Sequence, residues 1–244
     1  MFKQAQSLQF VWFLPGDPAS PVKLFDGLLG GEPDAFQKIF PPQAPLPLTV
    51  QHIVRDGLVH KVQSHYGRID YFIEPVQNGP SLGLIDDPMK VMNETLERIL
   101  SFSEVVGDIV RGAVVANLSH PVASIDEAGG MFTQLFGDKI NLSGAREINF
   151  QLSKRRSGSA VGDLNRLFRW STETVTFAPM VGNALPSMLL ANATETHYLN
   201  YMIDVNTVLS STSRFAPKEH IVVFEALTAE LKNLFSAETI ESVL

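Results

Sequence analysis

The sequence predicts an α+β fold, a mainly antiparallel sheet of long strand meanders packed by helices. Three observations carry this. Period-two alternation recurs in closely spaced runs, as where Ile148, Phe150 and Leu152 interleave with Asn149, Gln151 and Ser153, the pattern of a sheet with one wet face. Turn dipeptides such as Asp56-Gly57 join successive runs directly, which suits antiparallel neighbours. Helical spacing comes in separate blocks, so the strict alternation of a parallel βαβ sheet is absent. With 244 residues, 45% hydrophobic and 18% charged, the chain is long and apolar enough to bury a sizeable core. One domain over 1–244 is expected. The element order is also compatible with two fused α+β halves divided near 106–120.

The first strand is expected over Leu8–Leu14, with Leu8, Phe10, Trp12 and Leu14 on one face and Val11 and Phe13 on the other, so both faces are at least partly covered. Residues 15–47 are rich in Pro and Gly and read as loop, with a short helix from Asp34 to Ile39 between the breakers. Strands at Thr49–Arg55, Val59–His65 and Arg68–Glu74 follow, joined at Asp56-Gly57 and Tyr66-Gly67. After a turn-rich stretch over Asn78–Asp87, Pro88 stands where a helix starts. Val91, Met92, Leu96, Ile99, Leu100 and Phe102 then keep helical spacing to about residue 105. Asp108–Asn117 reads as a buried strand and Pro121–Phe136 as a helix ended by Gly137. Ala145–Lys154 and Leu164–Phe177 form a long strand pair around the Arg156–Gly162 loop, and His197–Leu209 forms another strand. Pro217 opens a final helix with Val223, Leu227, Leu231, Leu234 and Phe235 turned inward.

Several chemistries are excluded or disfavoured. The absence of cysteine removes disulfides, thiol nucleophiles and thiolate metal sites, and it suits a reducing compartment. Gln4, Gln6 and Gln9 interrupt any apolar signal core, and no stretch approaches the roughly 20 apolar residues of a membrane span. A cytoplasmic, non-membrane protein is expected. The six histidines are scattered with no metal-binding spacing, although His60 and His65 flank one turn. Gly158-Ser159-Ala160-Val161-Gly162 is not a nucleophile elbow, and Ser119-His120 before Asp126 and Glu127 reads more simply as a helix entry. Asp86-Asp87 before Pro88 reads as a helix cap, and no phosphate-binding Gly-rich loop occurs. No catalytic residue, metal or cofactor is therefore expected, and the reading leans away from an enzyme.

The main electrostatic feature lies at residues 143–170, where six basic and two acidic side chains interrupt a chain of net charge −7. Lys154, Arg155 and Arg156 lead into the loop, and Arg166, Arg169 and Trp170 follow on the return strand. Arginine forks match phosphate or carboxylate oxygens, and an aromatic ring can stack on a base. Equally, Arg155 and Arg156 fit a solvated hairpin tip, Trp170 fits core, and Arg166 fits a partner carboxylate such as Glu147 or Asp204.

Ile148-Asn149-Phe150-Gln151-Leu152, Asn165-Arg166-Leu167-Phe168-Arg169-Trp170-Ser171, Leu199–Val205 and the terminal helix with Leu234-Phe235 share a pattern over about the last 100 residues. In these segments the chain resembles a sporadically distributed family of uncharacterised bacterial proteins of similar length. The resemblance implies a compact α+β protein and brings no activity or site residue with it. The expected function is a non-enzymatic intracellular protein that binds another protein through the 143–170 hairpin, or that self-associates. The alternative is binding of a nucleotide, nucleic acid or other phosphate-containing ligand by the Arg/Trp cluster of the same hairpin.

Overall fold

The computed structural model describes residues 3–40, 47–77, 82–137, 142, 145–177, 193–209 and 214–235. The chain runs β1 (Gln4–Phe13), α1 (Pro21–Leu29), β2 (Ala35–Ile39), β3 (Leu48–Arg55), β4 (Leu58–His65), β5 (Arg68–Pro75) and α2 (Pro88–Val106). It continues with β6 (Arg111–Val122), α3 (Ile125–Phe136), β7 (Asn149–Ser159), β8 (Gly162–Phe177), β9 (Thr194–Thr207) and α4 (His220–Phe235). The nine strands of the described residues form one antiparallel sheet in the order β2-β3-β4-β5-β1-β6-β9-β8-β7.

That order is two passes of one theme. Each begins with a central strand and a helix, runs outward-lying strands back as a meander until the last pairs with the first, and closes on a helix. β1 pairs with β5 in the first pass and β6 with β9 in the second, while β1 and β6 join the passes through an antiparallel ladder from Gln4–Ser119 to Phe13–Arg111. The first pass carries β2 as an additional edge strand. Pairing is local because the turns are tight: Asp56 (φ 52°) and Gly57 (φ 75°) both adopt the left-handed backbone that a two-residue hairpin requires.

The core lies on one face, between the sheet and the four described helices. Leu8, Phe10 and Trp12 of β1 are completely buried there. The Trp12 ring lies edge-on to Phe102 of α2 at 5.1 Å and 4.8 Å from Phe224 of α4, so helices of both passes meet over the central strand. α4 approaches β6 closely because residue 112 is glycine: a Cβ there would come within 2.9 Å of Val223 Cγ1. None of the described helices is long and apolar enough to cross a membrane.

The structure corrects the sequence reading in several elements. Ala35–Ile39 is the edge strand β2 and not a helix, because five residues gain more by pairing with β3 than by a single helical turn. The Asp34 carboxylate accepts from Val54 N at 2.8 Å, fastening the strand's start to β3. Residues 21–29, read as loop, form α1, with Pro21 in its first turn and Gly30 (φ 63°) at its end. Pro121 belongs to β6, which ends at Val122, and the helix starts only after Ser124, whose Oγ accepts from Glu127 N at 3.2 Å. β7 runs on to Ser159 and β8 starts at Gly162, so the turn narrows to Ala160 and Val161, with a register shift in the ladder between Arg156 and Ser159. Residues 41–46, 78–81, 143–144 and 210–213, which fall in the expected loops, the basic segment and the connection before Pro217, lie outside the described residues.

Candidate functional site

The pleat sorts the basic hairpin onto two faces. Lys154 and Arg156 stand opposite Arg166 and Leu164, on the face that carries the helices. Arg155 stands opposite Asn165 on the other face, which also holds Arg169 and Gln151. Among the described residues β7 is the last strand of the sheet, and every residue from Ser153 to Gly158 is exposed. The three consecutive cations Lys154, Arg155 and Arg156 therefore line an open edge of the described sheet; the strand expected to end at Lys154 continues through Arg155 and Arg156.

Two of the arginines converge on one carboxylate. Glu230 of α4 is only 3% exposed, and its carboxylate is contacted by Arg156 and, at 3.4 Å, by Arg166 Nη1. Arg166 is nearly enclosed, with its side chain 13% exposed, and its guanidinium lies 5.9 Å from the Phe168 ring. Burial lowers the Arg166 pKa, and the neighbouring Arg156 charge lowers it further. One carboxylate serving two guanidiniums leaves the node with a surplus positive charge, and Lys154 lies beside it across the β7–β8 ladder. The partner of Arg166 is thus Glu230, and not Glu147 or Asp204.

The remaining members are engaged separately. Arg169 donates from Nε and Nη2 to Gln151 Oε1 at 3.1 and 2.8 Å on the opposite face. Trp170 is 1% exposed and stacked on Tyr201 at 4.9 Å with 7° between the planes, with Phe136 edge-on at 5.7 Å. Its ring belongs to the core. The hairpin therefore brings together Lys154, Arg156 and Arg166, holds Arg155 and Arg169 on the other face, and encloses Trp170.

The other sequence candidates resolve into structural roles. His60 is 5% exposed and its Nδ1 lies 2.7 Å from the Tyr71 hydroxyl. Burial, with Arg98 and Arg55 nearby, lowers its pKa to about 4. His65 stands on the opposite face with Nε2 4.0 Å from Asp70, so the two histidines do not converge. Among the described residues no group of three or more His, Asp or Glu side chains could hold a metal ion. Ser119 donates to Asn200 Oδ1 at 2.6 Å while His120 points to the other face, so no catalytic pair forms. Asp87 caps α2 by accepting from Lys90 N at 3.0 Å, and Asp86 accepts from Gln4 Nε2 at 2.7 Å.

A polar cluster on the face away from the described helices was not legible in the sequence. Asp70 accepts from Arg68 Nη2 at 2.7 Å and from Gln9 Nε2 at 2.6 Å. The Phe13 ring lies between two guanidiniums, 5.2 Å from Arg68 and 4.9 Å from Arg111. Burial raises the Asp204 pKa, opposed by a hydrogen bond from Asn206 and by the charges of Arg111 and Arg68. Its members come from β5, β1, β6 and β9, and only the strand order makes them neighbours. Comparison with protein-family models, with curated proteins and with solved structures finds no match to this chain.

Proposed function

We propose that the protein is a non-enzymatic interaction protein that binds another protein along β7, taking an extended acidic segment as an added strand. The observation that carries this is the placement of Lys154, Arg155 and Arg156 on the exposed edge strand of the sheet. A free edge offers unpaired backbone donors and acceptors to an incoming strand, and charged side chains on it repel a like-charged one. Three consecutive cations oppose pairing with another copy of β7 and favour a segment whose acidic side chains alternate across the pleat. Charge complementarity of this kind acts mainly on association rate and partner choice.

A nine-residue peptide with three consecutive Glu at its centre between Val and Thr residues, titrated into the labelled protein, tests this by amide shifts. Shifts concentrated on β7 that weaken with salt and vanish in Lys154→Glu/Arg155→Glu support it. A peptide that leaves the β7 amides unmoved at low salt overturns it.

The second reading, a phosphate-containing ligand, is favoured by the surplus charge where Arg156 and Arg166 share Glu230. It draws on Lys154, Arg156 and Arg166 and loses the base-stacking face, because Trp170 is enclosed. Inorganic phosphate or a nucleotide shifting the Arg156 and Arg166 side-chain signals would favour it over the peptide mode.

A further inference from the structure

The opposite rim of the sheet has a different chemistry. Among the described residues β2 is paired on one side only, with β3, and Phe36, Gln37, Lys38 and Ile39 are all exposed. Large apolar side chains concentrate there: Phe36 is 52% exposed, Ile39 44% and Phe40 71%. Lys38 is the only charge on the strand, and it already lies over a ring, its Nζ 5.4 Å from the Phe40 centroid. An exposed apolar edge strand is a template for pairing with another chain, and folded proteins normally guard such edges with charge. The chain guards β7 in this way and leaves β2 almost unguarded.

We infer that β2 is a homodimer seam, in which a second copy of this chain pairs antiparallel with it about a two-fold axis at Gln37. The sequence Ala35-Phe36-Gln37-Lys38-Ile39 is self-complementary in that register. Gln37 meets the partner's Gln37, and each Lys38 stands opposite a Phe36, so no like charges face each other. On one face Lys38 lies between its own Phe40 and the partner's Phe36, a cation held between two aromatic rings. On the other face Ile39 covers the partner's Ala35, burying apolar surface that is open in the single chain. A partner of different sequence would need to reproduce this pattern, whereas a second copy supplies it by symmetry.

The chain has no cysteine, so single introduced thiols report the register directly. Directly opposed residues of an antiparallel pair have Cα atoms about 4.5–5.5 Å apart, inside the roughly 4.4–6.8 Å span of a disulfide. Residues offset by two positions lie roughly 8 Å apart and fall outside it. Under mild oxidation, Gln37→Cys is expected to give a covalent dimer, while Phe36→Cys and Lys38→Cys alone form no covalent dimer. Mixing those two variants is expected to restore the dimer as a heterologous pair. Sedimentation of the unmodified protein from roughly 1 µM to roughly 1 mM is expected to show a monomer–dimer equilibrium. Equal cross-linking at all three positions would mean random collision and overturn the inference, as would a monomer across that range. A dimer that persists in Lys154→Glu/Arg155→Glu shows that this seam is independent of the β7 edge, whereas its loss there would move the contact to β7 and also overturn the inference.

Discussion

Replacing Glu230 by Gln would leave Arg156 and Arg166 facing each other with no negative charge between them. Arg166 is nearly enclosed and cannot turn to water, so Glu230→Gln is expected to destabilise the fold by about 3 kcal/mol. Arg156 is 48% exposed, and Arg156→Ala is expected to cost under about 1 kcal/mol, since a half-solvated guanidinium contributes little. Urea unfolding of both variants checks this, and equal losses would mean that the buried carboxylate does not need Arg166. A signal for this contact was present in the sequence. Glu230 follows Leu227 by three residues and precedes Leu234 by four, so it sits on the inward stripe of the final helix. A carboxylate on an apolar stripe requires a cation, but the spacing does not say that the cation lies on a strand 64 residues earlier in the chain.

Between elements, the seams of the helix layer against the sheet make stability depend on pH. His60 of β4 is buried in this layer, and so is His220, the first residue of α4, which is completely inaccessible. Burial lowers the pKa of both, His60 to about 4. His60 stays neutral in the folded chain down to about pH 4 but is protonated in the unfolded chain below about pH 6.5, so the unfolded state binds more protons as pH falls. For His60 the stability is full above about pH 6.5, is lost between there and about pH 4, and levels off below, a change of up to about 3 kcal/mol. His220 acts in the same direction. Urea midpoints at pH 7.5, 5.5 and 4.5 are expected to fall in that order, and His60→Gln is expected to flatten the decline. The helices themselves were legible where a start signal preceded long periodicity, as at Pro88. α1 was not, although Pro21 and Gly30 frame it, because so many breakers in residues 15–47 masked a nine-residue helix. β2 was misread because its strand character comes from β3 beside it, which local propensity does not contain.

At the scale of the molecule, the two β–α–meander–α passes share one ladder and one aromatic centre, where Phe10 and Trp12 of the first touch Phe224 of the second. Calorimetry is therefore expected to give a single transition, and residues 1–107 alone are expected to lack the near-ultraviolet signal of a packed Trp12. Two resolved transitions would show that the passes are separate folding units. The meanders were readable from alternation and turn residues, but the joining of β1 to β6 was not. Both strands read as buried runs, and neither identifies its neighbour. The strand order also has a consequence for growth. It sends the apolar strand and the cationic strand to opposite rims, so the sheet is a tile with two unlike ends. Joined at its apolar end such a tile closes after two copies, with a cationic end facing outward on each side. The same arrangement that would make the pair bivalent stops it from elongating into a fibre.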